Sequence, residues 1–332
     1  MDARRLCACF LGAVILLGPA CSGGRDALTI YSGRDEALVG PVLERFAEET
    51  DTDVDVRYGD SGELALQLEI EGDDGPADVF LSQSPGPVDF LDAQGLLGKV
   101  PSAALELVGP EWRGSAGSWV GVTARQRVLV FNEELVSEDE LPDSVMDLVN
   151  REYRERVALA PTNASFQDFV SAMRVAEGDE AAREWLRGMA LNESPSYADN
   201  TSIVAAVGRG EIPMGLVNHY YNFRALAEDP DAPSRNYVFP EGDLGSLLIA
   251  STASVLASAD DAERAGRLIE FLLDEEAQEF FSAETFEYPL APGAEPAEEL
   301  PPLDESAGLL VSLRDLGALE ETARMIEDSG LD

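Results

Sequence analysis

From Leu28 onward, short apolar runs alternate with longer stretches whose apolar residues recur at helical spacing, and that alternation leaves few folds open. Leu28–Tyr31 reads as a strand, and Glu36–Glu49 follows with Leu38, Val42, Leu43 and Phe46 on one helical face. Val54–Tyr58 alternates as a second strand. Ser61 stands where a cap would open a helix through Leu64, Leu68 and Ile70, and Ala77–Leu81 is a third strand. After a Pro/Gly-rich stretch come strands at Trp119–Val122 and Val128–Phe131, a helix near Ser144–Val149 and a strand at Val157–Leu159. The spacing then predicts helices over Phe166–Ala176, Glu180–Leu191 and Thr201–Val207, and strands over Ile212–Val217 and Ser246–Leu256. A strongly amphipathic helix over Ala262–Phe281 and a last one over Leu319–Asp328 complete the chain. Repeated β-α-β order argues for an α/β class with doubly wound parallel sheets. At 332 residues the chain exceeds one typical core, so two α/β lobes are expected. No composition shift marks a linker, which points to lobes joined by crossover strands. In such sheets ligands collect at the carboxyl ends of strands and in the cleft between lobes.

Charge narrows the partners. The sequence holds 64 Asp+Glu against 23 Lys+Arg, a formal net charge of −41. A nucleic-acid partner is excluded, because phosphate binding needs a basic face, and an anionic membrane surface repels such a chain. The acid is interleaved with apolar residues, as expected of a solvated acidic surface that keeps a protein soluble at high salt. His219 is the single histidine, and the cysteines are Cys7, Cys9 and Cys21. The body beyond Cys21 therefore holds no disulfide framework and no CxxC zinc site. No GxSxG elbow, HExxH pair or P-loop is present, and the chain reads as a binding protein rather than an enzyme.

The amino terminus is a targeting segment. Arg4 and Arg5 precede the apolar run Phe10–Gly18, which is about half the roughly 20 residues of a spanning helix. Gly18-Pro19-Ala20 then leads into Cys21. This resembles a bacterial lipoprotein signal. The resemblance implies loss of residues 1–20, lipidation at Cys21, a tether over 21–27, and a protein exported to the outer face of the cell membrane or to the periplasm.

Residues just after the strands carry the chemistry. Ser32-Gly33-Arg34-Asp35 follows the first strand, Ser82-Gln83-Ser84 the third, and Thr162-Asn163-Ala164-Ser165-Phe166 the strand at Val157–Leu159. Asn218-His219-Tyr220-Tyr221-Asn222 follows Ile212–Val217 and gathers the only histidine, two tyrosines and two asparagines. Two adjacent phenols read either as an aromatic floor with satisfied hydroxyls or as a pair of phenolate metal ligands. A phenolate is a demanding ligand at neutral pH, so the second reading selects a strong Lewis acid such as Fe(III).

The words TIYSGR (Thr29–Arg34), PADVFLSQ (Pro76–Gln83), APTNASFQ (Ala160–Gln167), GLVNHYY (Gly215–Tyr221) and EYPL (Glu287–Leu290) resemble, in this order, the ferric-ion-binding proteins of bacterial ABC importers. These are members of the periplasmic-binding-protein superfamily. The resemblance runs from about Leu28 to the carboxyl terminus. It implies a type II periplasmic-binding-protein fold, with 28–126 and 250–302 in the N-terminal lobe and 127–249 and 303–332 in the C-terminal lobe. It implies a monomer that captures ferric iron between the lobes and hands it to permease and ATPase subunits. Tyr220 and Tyr221 are the implied iron ligands. At two positions the sequence departs from the family: Asp35 stands where some members have His, and Gln83 where some have Glu. Asp35 is then an oxygen ligand or the N-cap of the helix at Glu36. Gln83 is a weak donor, and His219 a third ligand or a supporting residue. Phe166 occupies the place of a further ligating tyrosine and cannot ligate.

So short a donor set implies a synergistic carbonate or phosphate anion. Thr162, Asn163, Ala164 and Ser165 open a helix whose backbone N–H groups suit an anion. Asn200, Asn218 and Ser84 match anion-contacting positions, and Arg125 and Arg127 either add charge there or pair with surface acid. The remaining alternative is the same fold built for an anion, a polyamine or another small solute.

Overall fold

A computed structural model describes residues 27–300, 309–310 and 319–331. The lipoprotein signal, Cys21 and most of the tether lie outside the described residues.

The first βαβ units form as the sequence predicts. β1 (Leu28–Ser32), α1 (Glu36–Thr50), β2 (Val54–Tyr58), α2 (Ser61–Glu71), β3 (Val79–Ser82) and α3 (Pro85–Ala93) follow one another, and β1 pairs in parallel with both β2 and β3. Asp60 rather than Ser61 caps α2, its Oδ1 accepting from Gly62 N and Glu63 N. Ser61 is instead buried, with Oγ accepting from Gln83 N at 2.9 Å. A Cβ on Gly33 would lie 1.9 Å from Ser61 Oγ, so the end of β1 needs glycine to approach α2 this closely.

After α4 (Ser102–Glu106) comes β4 (Trp119–Asn132), one continuous strand of 14 residues where the pattern predicts two. The polar stretch Thr123–Arg127 hides the continuity in sequence, yet these residues are buried. The second half then adds β5 (Val157–Ala158), α5 (Ala164–Glu177), α6 (Asp179–Leu191), α7 (Asn200–Gly208), β6 (Met214–Asn218), α8 (His219–Glu228) and β7 (Ser234–Tyr237). The segment expected as a helix near Ser144 is a short 3-10 turn, Val145–Val149. β8 (Leu247–Val255) returns to the first half, followed by α9 (Ala262–Leu272), α10 (Glu275–Thr285) and β9 (Tyr288–Pro289). The single helix expected over Ala262–Phe281 is broken because the Asp274 carboxylate accepts from Ala277 N and starts a new helix. β10 (Leu309–Leu310) pairs with β8, and α11 (Leu319–Glu327) packs on α5.

The sheet order is β2-β1-β3-β8-β4-β6-β5. It is mixed rather than all parallel. β8 runs antiparallel to β3 and β4, and β4 antiparallel to β6 and β7, because these two long strands carry the chain between the halves. β4 pairs with β8 from Trp119 to Gln126, and with β6 from Arg127 to Phe131. Two separate apolar bodies flank that change. One joins Leu28, Phe46, Val79, Val255, Leu268 and Phe281. The other joins Leu129, Phe166, Phe169, Trp185, Leu216 and Met325. The molecule is thus a pair of α/β lobes strung on shared strands, the type II periplasmic-binding-protein fold. No helix among the described residues is long and apolar enough to cross a membrane.

Candidate metal and anion site

Asn218 ends β6 and is the N-cap of α8, so Tyr220 and Tyr221 leave the first turn of a helix directly at a strand end. Their rings stack at 4.2 Å between centroids. Tyr220 is 1% exposed, and Tyr221 is half-buried. Burial raises both phenols above the ordinary tyrosine value. Glu287 and Tyr221 add to the rise at Tyr220, while Arg125 and Arg34 oppose it; at Tyr221 the Asp35 carboxylate adds to it. Both hydroxyls therefore keep their protons at neutral pH unless something strongly cationic replaces those protons. Among the described residues no three His, Cys, Asp or Glu side chains converge on a point that could hold a metal ion.

Asp35 occupies the N-cap position of α1, but its side chain makes no capping bond and is exposed. It is free to serve the cleft, where its charge reaches Tyr221. Gln83 is differently placed. Its Oε1 accepts from Arg34 Nη1 at 3.0 Å and from Arg125 Nη1 at 3.4 Å. The one oxygen that Gln83 has to offer is thus already turned to two guanidinium groups. Phe166 lies in the second core against Trp185 and Phe169.

His219 takes a different direction. Its Nδ1 accepts from Gln126 N at 3.0 Å, its ring stacks on Tyr288, and burial lowers its pKa to about 4. His219, Asn222, Phe223 and Leu226 share the face of α8 that lines a cavity of about 270 Å³ with Gln126 and Tyr288. The tyrosine pair is not among the residues lining that cavity. The histidine is neutral and braces α8 against β4 and β9.

The expected anion residues gather at the start of α5. Asn163 caps that helix, with Oδ1 accepting from Ser165 N, Ser165 Oγ and Asn200 Nδ2. Asn200 Nδ2 also reaches Ser165 Oγ at 3.1 Å. Arg127 Nη1 bridges Ser165 Oγ and Asn218 Oδ1 at 3.3 and 3.4 Å. Thr162 is exposed, Ala164 is half-buried, and the N–H of Ser165 is spent on its own cap. Ser84 reaches α5 from the start of α3, its hydroxyl donating to Asp168, one turn after Ser165.

Arginines that look like surface residues in the sequence form the floor. Arg125 and Arg127 alternate with Gln126 on β4 and so share one face. They are 2% and 1% exposed. Burial and the neighbouring Arg125 lower the Arg127 pKa to about 9. Arg34, also buried, forms a bidentate pair with Glu287 at 2.8 and 2.6 Å, and Thr123 Oγ1 donates to the same carboxylate at 2.8 Å. Burial alone would raise Glu287, but Arg34 and Arg125 hold it below the usual range. Composition conceals these groups, because a buried arginine is recognised only by the carboxylate that meets it from elsewhere in the chain.

Comparison with known proteins now places the chain. Residues 74–311 match the family described as bacterial extracellular solute-binding protein. The chain is 30% identical to the Fe(3+)-binding periplasmic protein of Serratia marcescens, covering 96% of this chain and 94% of the relative. It is also 30% identical to the major ferric iron-binding protein of a Neisseria meningitidis serogroup A strain, over 95% of this chain and 97% of that one. Iron-bound HitA from Pseudomonas aeruginosa superposes with a TM-score of 0.87 at 34% identity, covering 92% of this chain and 99% of that chain. The two-lobed fold and these relationships together make the chain a member of the bacterial extracellular solute-binding protein family.

Proposed function

We propose that this protein captures ferric iron in the cleft between its lobes and delivers it to the permease and ATPase of an ABC importer. The observation that carries the reading is the stacked pair of buried Tyr220 and half-buried Tyr221 at a strand end, where the Asp35 charge reaches Tyr221 and both phenol pKa values are raised. Removing two such protons is unfavourable unless a strong Lewis acid takes their place, and Fe(III) does so. Ferric-binding relatives of similar length support it. The lobes we assign are 28–126 with 250–302 and 127–249 with 303–332, and the change of β4 partners between Gln126 and Arg127 supports that division. The test is an absorption spectrum with metal analysis of freshly purified protein. An orange-to-red phenolate-to-iron band with one iron per chain is expected. A colourless, iron-free protein that takes up no added iron would reject the reading in favour of an anion or polyamine site.

Tyr220, Tyr221 and Asp35 leave an octahedral ion short of donors, and Gln83 is turned to arginines. We therefore include a synergistic carbonate or phosphate, held at Thr162–Ser165, Asn200 and Asn218. Iron binding should weaken in buffer stripped of both anions and recover when either is restored. Asn218→Asp should hurt more than Ser84→Ala, since it sets a negative charge against the anion. Full binding in anion-free buffer would remove the anion from the account.

Anchoring by a lipid at Cys21 belongs to the same proposal. Cys21→Ser should move the protein from the membrane fraction to the soluble one. A wild-type mass without lipid would refute it.

A further inference from the structure

Two buried side chains meet between the lobes, and neither does the local work expected of it. Ser84 is the N-cap residue of α3, a helix rooted in the first half of the molecule through Val88 and Leu91. A serine at that position ordinarily bonds back to its own helix, and this one does not. Its Oγ instead donates to Asp168 Oδ1 at 3.0 Å, across 84 positions of sequence. Asp168 lies on α5 among Phe166, Phe169 and Val170, which belong to the second core. An acid on the buried face of a helix is costly without partners. Ser84 and Asp168 are each 3% exposed. The other oxygen, Oδ2, lies 3.7 Å from Arg125 Nη2. Arg125 in turn reaches Gln83, one residue before Ser84. A closed circuit results, running from the loop after β3, through α5, to the shared strand β4 and back.

We propose that Asp168 is a positioning residue that latches the two lobes, accepting from Ser84 across the cleft and holding Arg125 against Gln83 beside the tyrosine pair. The proposal rests on the reading that the cleft captures iron, and it adds what holds the cleft shut. The latch needs no cargo, so it biases the iron-free protein toward the closed form. Opening must break it, and iron leaves only after opening. Release is therefore slowed by the latch, whereas the ligands that give the colour are not part of it.

The test uses the full chain with Ser84→Ala, Asp168→Ala and the double variant. Three quantities are read: the radius of gyration of iron-free protein by solution scattering, the rate at which preloaded iron passes to excess chelator, and the absorption maximum. Each single variant should enlarge the iron-free radius and speed release about tenfold, a typical hydrogen bond's worth. The absorption maximum should stay in place. The double variant should release no faster than Asp168→Ala alone, because both changes cut one contact. Unchanged release in either single variant, a double variant that multiplies the two effects, or a shifted absorption maximum would overturn the latch. The iron-free radius separates the two levels. Wild-type protein that takes up no iron removes the proposed function, and the radius then decides alone: larger in both single variants supports the latch, unchanged overturns it.

Discussion

Replacing either Tyr220 or Tyr221 by Phe is expected to abolish most of the visible colour and to lower iron affinity by more than ~100-fold, since even the outer-shell partners of a metal site are worth 10–100-fold. The substitution keeps the ring, so the 4.2 Å stack and the burial of Tyr220 should survive, and the thermal midpoint should hardly move. The same chemistry sets the pH dependence. Burial raises both phenols above their ordinary value, so both are protonated in the iron-free protein at neutral pH. Binding as two phenolates then releases two protons, and affinity should fall about 100-fold for each unit of acidification. Either single variant should halve that slope on a logarithmic scale. Equilibrium titration against a competing chelator at several pH values checks both statements. Single variants with full colour and unchanged affinity would show that the ligands lie elsewhere.

The second large effect is on stability. Glu287→Gln should destabilise the protein by ~3–5 kcal/mol, because it leaves the Arg34 guanidinium buried without its charge partner. Removing both charges together, as Arg34→Met with Glu287→Leu, should cost less than either single change, since neither member of the pair is then left buried opposite a missing partner. The sign with pH is fixed by direction. Arg34 and Arg125 hold the folded-state pKa of Glu287 below its unfolded value despite burial. The contribution is therefore present above the unfolded glutamate pKa and is lost as pH falls through the folded value. Acid unfolding of wild type should include this loss, and Glu287→Gln should flatten that limb. Denaturant titrations at neutral and acidic pH decide it; a double variant worse than both singles would contradict the argument.

Much of this molecule is legible in its sequence where one physical rule acts alone. The parallel pairing of β1, β2 and β3 follows from alternation of apolar strands and amphipathic helices, and the tyrosine pair stands out at the end of β6. Legibility fails where tertiary partners override local pattern. β4 reads as two strands because Thr123, Arg125, Gln126 and Arg127 are polar, and partners distant in sequence, among them Glu287, Asp168, Ser165 and His219, make their burial tolerable. Asp35 could be weighed as cap or ligand but not assigned, because a capping geometry is not a property of composition. His219 sits beside the tyrosines and its ring meets Tyr220 edge-on, yet it stacks on Tyr288 and its Nδ1 is taken by Gln126 N, partners that local sequence does not reveal.

The continuity of β4 also governs how any hinge in this molecule can work. When one body swings against another, displacement grows with distance from the axis, and atoms on the axis stay almost still. Gln126 and Arg127 mark the place where β4 passes from one sheet to the other, so Arg125 and Arg127 ride close to the pivot. Arg127 pairs with Asn218, the N-cap of α8, so the tyrosine helix starts beside the same pivot, whereas Asp35 follows β1, which β3 and β8 separate from β4, and sweeps through the larger arc. Positive charge is then a fixed reference beside the start of α8, much the same whether the lobes are apart or together, while Asp35 travels with β1.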